Sequence, residues 1–290
     1  MKIGMVLEGG AMRGMYTSAV LDVMMKHDIK VDGVVGVSAG ATFGINYKSR
    51  QIGRALRYNL KYSKDPRYVG LKSLLTTGDL FGAEFCYNEL PTNLDPFDKK
   101  AFQENPVEFY VVATDVHTGK PVYHLCENGD EEDTQWIRAS ASMPLVSRIV
   151  SVGGYDLLDG GIADSIPISW FRSIGYKRNI VILTRPEGYR KKKSRLLPVN
   201  KFLMRKYPKL GQAIEERPDM YNKTIDELHR LEKEGDTFVL APSVDLGIKR
   251  AETDPAELQR VYDIGIKDAN DNLEAMKEFL KSNKEVVTNR

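Results

Sequence analysis

The stretch Val34-Val35-Gly36-Val37-Ser38-Ala39-Gly40-Ala41-Thr42-Phe43-Gly44 constrains this chain more than any other. A short valine-rich run reads as a buried strand, and the small residues after it read as the start of a helix. Ser38 therefore stands at a sharp strand-to-helix turn, the setting of a nucleophile elbow. Gly36 and Gly40 leave room for the tight backbone and for close strand–helix packing, while the turn lifts the Ser38 hydroxyl towards substrate. The N-terminus of the following helix adds a positive field where an oxyanion would form. A Gly/Ser loop by itself is as often a simple connection, so the weight of this one rests on what accompanies it.

Upstream, Ile3 to Leu7 reads as the first strand and runs into Glu8-Gly9-Gly10-Ala11-Met12-Arg13-Gly14, followed by a helical pattern through Met15, Ala19, Val20, Val23 and Met24. Glycines between strand and helix let backbone N–H groups point into a common space, which is an anion-binding nest. A dinucleotide fold would hold pyrophosphate there, but it needs an acidic residue about 20 positions on, at the end of the second strand. Asp32 precedes that strand, and the strand ends in Ser38 instead. An oxyanion hole built from N–H groups around Gly10, Ala11 and Met12 is the better use. Neighbouring first and second strands would place the nest beside Ser38.

Downstream, residues 51–94 are rich in aromatic and basic side chains, with helical fragments interrupted at Gly78, Gly82 and Pro91. They read as a helical lobe over the sheet, placed where it would wall an acyl-chain pocket. Val107 to Ala113 is a strand, Asp115 to Lys120 a turn, and Pro121 to Leu125 the returning partner. Trp136 to Ala141 reads as a short helix, and Ile149–Val152 with Tyr155–Leu158 as a strand pair around Gly153-Gly154. Next comes Asp159-Gly160-Gly161, where the glycines allow close backbone approach and aim a carboxylate from a strand end, making Asp159 a candidate general base. Asn179–Leu183 and Thr237–Leu240 close the sheet, and a final helix is expected from Pro255 to about Leu280.

Composition narrows the function. With 290 residues, 42% of them hydrophobic and 28% charged, the chain suits one large domain. A net charge of +2, without a basic stripe interleaved with aromatics, argues against a nucleic-acid partner. Cys86 and Cys126 have neither metal-site spacing nor the number for a disulfide framework, which predicts reduced thiols, a reducing compartment and no metal. Met1 to Glu8 is no secretory signal, and no apolar stretch reaches membrane-span length, so any meeting with a bilayer is expected from its surface. The run from Arg185 through Arg190, Lys191, Lys192, Lys193, Arg195, Lys201, Arg205 and Lys206 to Lys209 has almost no acid but Glu187. It reads as a solvated face or as a surface for anionic headgroups, with Leu196, Leu197, Phe202 and Leu203 dipping into the interface.

Taken in order, Glu8-Gly9-Gly10-Ala11-Met12-Arg13-Gly14, Gly36-Val37-Ser38-Ala39-Gly40 and Asp159-Gly160-Gly161 resemble the patatin-like phospholipase family, over roughly Lys2 to Arg185. Ala113-Thr114-Asp115, Thr118-Gly119 and Ser140-Ala141-Ser142-Met143-Pro144 belong to the same resemblance. It implies a three-layer α/β/α sandwich with a central, mostly parallel sheet, and a serine acyl hydrolase working through a Ser38–Asp159 dyad without cofactor. It also implies an oxyanion hole from Gly9, Gly10, Ala11, Met12, Arg13 and Gly14, with Arg13 fixing the loop. Ala11 departs from the family, which usually has a third glycine there; alanine keeps the N–H donor, so modified rather than lost oxyanion binding is expected. A triad would need a histidine after Asp159, and the one available, His229, lies in a charged helical run, Asp226-Glu227-Leu228-His229-Arg230.

The expected organisation is a catalytic core over residues 1–185 with the helical insertion at about 51–94, completed by 186–290 as part of the same domain. The expected activity is phospholipase A, lysophospholipase or lipid esterase, in the cytoplasm or at the inner face of the membrane, with peripheral contact through residues 185–209. The competing reading is a non-catalytic lipid-binding or regulatory protein on the same scaffold.

Overall fold

The computed structural model describes residues 1–193 and 205–288, with side chains to residue 282. Four parallel pairings join β3 (Glu108–Asp115), β2 (Gly33–Val37), β1 (Ile3–Leu7), β7 (Arg178–Ile182) and β8 (Thr237–Leu240) in that spatial order. Beyond β3 the sheet turns antiparallel, through β4 (Pro121–Cys126) and the hairpin of β5 (Val150–Val152) and β6 (Tyr155–Asp159).

Side chains alternate between faces along each strand, so each parallel strand feeds two cores. Met5, Leu7, Val34, Phe109, Val111, Ile180 and Ile182 pack with α1 (Gly14–Lys26), α2 (Ala39–Lys48) and the helix Pro255–Asp271. Val6, Val35, Val37, Val112 and Val181 pack on the other face with Phe171 and with Tyr221, Ile225, Leu228 and Leu231 of the long helix Pro208–Lys233. The result is the expected α/β/α sandwich with a mostly parallel sheet.

The insertion after α2 holds α3 (Arg54–Tyr62), α4 (Leu71–Thr77) and a wide-turned helical segment, Phe85–Leu94, before α5 (Lys99–Glu104). Pro91 sits inside that segment rather than ending it. The short helix expected from Trp136 starts earlier: α6 (Glu131–Ser140) begins at Asp130, whose carboxylate accepts from the Asp133 N–H at 3.1 Å. The last helix is two, Pro255–Asp271 and Leu273–Thr288. Asn272 separates them, its side-chain amide and its backbone N–H both donating to the Asp268 carbonyl.

The basic run finds acids across the fold. Arg190 pairs with Asp226, Arg185 lies 4.0 Å from Asp245, and the half-buried Lys191 sits 4.5 Å over the Tyr221 ring. Arg195, Leu196, Leu197, Lys201, Phe202 and Leu203 lie outside the described residues.

Candidate active site

Strand β3 brings the two principal residues together. Residues 109–114 of one edge pair with β4, so β2 and β6 share the other edge, end to end. Val37, the last residue of β2, pairs with Val112; Asp159, the last residue of β6, pairs with Ala113. Ser38 leaves β2 at the register position where Asp159 ends β6. Residues far apart in the chain thus meet at consecutive positions of one strand.

The elbow is strained and closely supported. Ser38 has φ +54° and ψ −117°, a conformation that costs a non-glycine residue about 1–3 kcal/mol. A Cβ on Gly36 would lie 2.6 Å from the Gly40 carbonyl oxygen, and one on Gly40 would lie 2.4 Å from the Leu7 carbonyl oxygen. Only glycine lets α2 approach β1 and β2 this closely. The Ser38 N–H donates to the buried Ser140 hydroxyl at 2.8 Å, and the Ser38 carbonyl accepts from the N–H groups of Ala41 and Thr42.

The loop after β1 runs against this elbow: a Cβ on Gly9 would stand 3.1 Å from the Ser38 Cβ. Residues Ala11–Arg13 form a 3-10 turn, and Ala11 takes the left-handed φ of +49° at the position where the family usually has glycine. The Arg13 N–H closes the turn onto the Gly10 carbonyl, and the Met12 N–H leans on the Arg250 carbonyl at 3.4 Å. Among the described residues, the N–H groups of Gly9, Gly10 and Ala11 have no partner. They are the donors the loop can offer an anion. Glu8 anchors the loop from below, accepting from the Thr184 N–H at 2.6 Å, the Thr184 hydroxyl at 3.1 Å and the Tyr221 hydroxyl at 2.9 Å.

Asp159 is buried and held through its backbone, its N–H donating to the Ser142 carbonyl and its carbonyl accepting from the Thr114 hydroxyl. Its carboxylate accepts from the Gly161 N–H at 2.8 Å. Burial pushes its pKa above the ordinary 3.8, against the opposing pull of the Arg217 charge, the Ser38 hydroxyl, the Gly161 N–H and Arg250. The Ser38 hydroxyl is among the groups that favour the ionised carboxylate, and catalytic hydrogen bonds in unliganded sites are commonly long. Arg217 comes from the long helix, and its Nη2 and the Asp159 Oδ1 each lie 3.0 Å from where a Cβ on Gly161 would stand.

A cavity of about 130 Å³ opens on Ser38, Ala11 and Met12. Its far walls are Tyr58, Tyr68, Phe81, Leu90, Phe97 and Phe102, so the insertion does line an apolar space that ends at the serine. Serine, a buried carboxylate of raised basicity, free N–H donors and an apolar pocket together suit nucleophilic attack on an acyl group.

Other chemistry-bearing residues fall elsewhere. His229 is half-buried on the long helix and is not among the residues lining the Ser38 cavity. His124, Cys126 and Asp133 bring ligand-type atoms within 4.8 Å of one another, which the cysteine spacing alone did not reveal. Asp133 is committed to His124 and to the N–H groups of Asn128 and Gly129, while the Lys48 ammonium lies beside Cys126. Burial holds the Cys126 thiol protonated, so the trio reads as a hydrogen-bond network. Sequence reasoning also missed Ser140 and Arg217 as site residues. The Ser140–Pro144 motif hinted at the first; nothing local marked the second.

The model of a family described as patatin-like phospholipase matches residues 5–171, and a domain of unknown function, DUF6363, matches residues 207–281. YjjU of Escherichia coli K12 is 29% identical over 191 residues, covering 64% of this chain and 52% of YjjU. Lysophospholipase NTE1 of Debaryomyces hansenii is 28% identical over 187 residues, covering 62% of this chain and 12% of that protein. The chain thus spans about half the length of one relative and a small part of the other. The crystal structure of VipD from Legionella pneumophila superimposes with a TM-score of 0.47 and 11% identity, over 95% of this chain and 67% of that one. With a family model covering more than half of its residues, the chain belongs to the patatin-like phospholipase family.

Proposed function

We propose that this chain is a lipid acyl-ester hydrolase that works through Ser38 and Asp159. The observation that carries the reading is the register of β3, which sets the buried aspartate beside the strained serine, itself part of the lining of an apolar cavity. Membership of the family supports it, as does similarity to proteins named lysophospholipases. Ser38 Oγ attacks the ester carbonyl while Asp159 takes its proton, and the N–H groups of Gly9, Gly10 and Ala11 hold the oxyanion. Collapse expels the alcohol, protonated by Asp159, and leaves an acyl-serine. Water then attacks the acyl-serine, with Asp159 again as base, and releases the carboxylic acid.

The acyl chain lies in the cavity of the insertion. The free thiols of Cys86 and Cys126 support a cytoplasmic site of action. Exposed Lys192, Lys193, Lys206 and Lys209 support peripheral contact with an anionic membrane. A fluorophosphonate probe tests the reading: it should label the folded protein once, on the peptide carrying Ser38, and much more slowly in Asp159→Asn. Unlabelled protein, or a label on another serine, would sink it.

A further inference from the structure

Beside Ser38 and Asp159 the fold collects more positive charge than it neutralises. Arg250 acts electrostatically on Arg13 and Arg217, Lys191 feels Arg217 and Arg13, Glu8 acts on Arg13, Lys191 and Arg217, and Arg217 and Arg250 act on Asp159. Among the described residues, the guanidinium groups of Arg13, Arg217 and Arg250 make no hydrogen bond and no ion pair. The Nε atoms of Arg13 and Arg217 are buried without a partner. Glu8 accepts from Thr184 and Tyr221 and Asp159 from Gly161, and although both carboxylates act on these cations through space, neither closes to an ion pair with one of them. Burial and the neighbouring arginines push the Lys191 ammonium down to about 7. Unpaired guanidinium groups with buried atoms, as at Arg13 and Arg217, are costly unless an anion joins them, and the planar donor forks of all three arginines match phosphate oxygens.

We propose that Arg13, Lys191, Arg217 and Arg250 form an anion-binding wall beside Ser38 that selects acyl esters ending in a phosphate monoester. A dianion offsets the surplus of charge; a zwitterionic headgroup would bring its ammonium against the same wall, and a neutral alcohol would leave the cations unpaired. Arg217 and Arg250 lie within residues 207–281, and Lys191 also lies beyond the patatin-like match, so specificity comes largely from the C-terminal part of the chain.

The substrate assignment rests on Ser38 as the acyl-accepting residue, but its test needs no turnover. Binding of dodecyl phosphate, dodecylphosphocholine and inorganic phosphate to Ser38→Ala protein is measured by calorimetry. Dodecyl phosphate should bind at least about tenfold more tightly than either of the others, and Arg217→Gln or Arg250→Gln in the same background should abolish that preference. Arg250 is exposed, so its variant keeps the test readable if Arg217→Gln does not fold. Equal affinity for the two amphiphiles, a preference that survives both substitutions, or inorganic phosphate binding as well as dodecyl phosphate would overturn the proposal. A wild type inactive on every ester would defeat the hydrolase reading and leave this binding result standing.

Discussion

Ser38 concentrates backbone strain at one point of the fold. Its φ of +54° exists because β2 below, α2 above and the Ser140 hydroxyl at its N–H leave the backbone no other path. Ser38→Gly should therefore stabilise the fold by about 1 kcal/mol, since glycine accepts this conformation without the Cβ penalty. The same substitution should lower ester hydrolysis at least about a thousandfold. Thermal unfolding and kinetics on the same preparation check both effects. Ala11 at φ +49° is the second strained residue, and it explains why the family usually has glycine there. The elbow was legible in the sequence because two glycines bracketing a serine at the end of a valine strand have few other uses. The free N–H groups of Gly9, Gly10 and Ala11 were not, because which donors are spent depends on Arg250, far along the chain.

At the scale of elements, β3 is the strand that organises the site, and α2 is the element with least slack. A methyl group on Gly40 would collide with the β1 backbone at the Leu7 carbonyl, which no side-chain rearrangement relieves. Gly40→Ala should cost about 1–3 kcal/mol and push the elbow away from Asp159, so a denaturant series should show a lower midpoint and assays a loss of activity in protein that remains folded. The strands were legible from short apolar runs bounded by turn residues, and the parallel order of the first two followed from the helix between them. Other features left no local mark. The break at Asn272 interrupts the apolar periodicity by one residue, too little to show in the pattern. The start of α6 depends on Asp130, an acid among acids in the sequence.

In the whole molecule, the candidate site draws on both ends of the chain. The patatin-like part carries Ser38, Asp159 and the glycine loop, and the long helix of the C-terminal part lays Arg217 beside Asp159. Asp159 acts as base only when ionised, so kcat/KM should fall with decreasing pH through a pKa lying above the ordinary 3.8, because burial raises it. Arg217 opposes that rise, so Arg217→Gln should move the acidic limb to higher pH, whereas Arg217→Lys should move it less. A pH–rate profile with an unchanged acidic limb in Arg217→Gln would separate Arg217 from the base.

The central claim is that Ser38 and Asp159 hydrolyse acyl esters as a pair. The most direct measurement is hydrolysis of a short-chain p-nitrophenyl ester by wild type, Ser38→Ala and Asp159→Asn, each shown to be folded by circular dichroism. The account predicts turnover by wild type and a loss of at least about a thousandfold in each variant. An inactive wild type, or a Ser38→Ala protein as active as wild type, would contradict it.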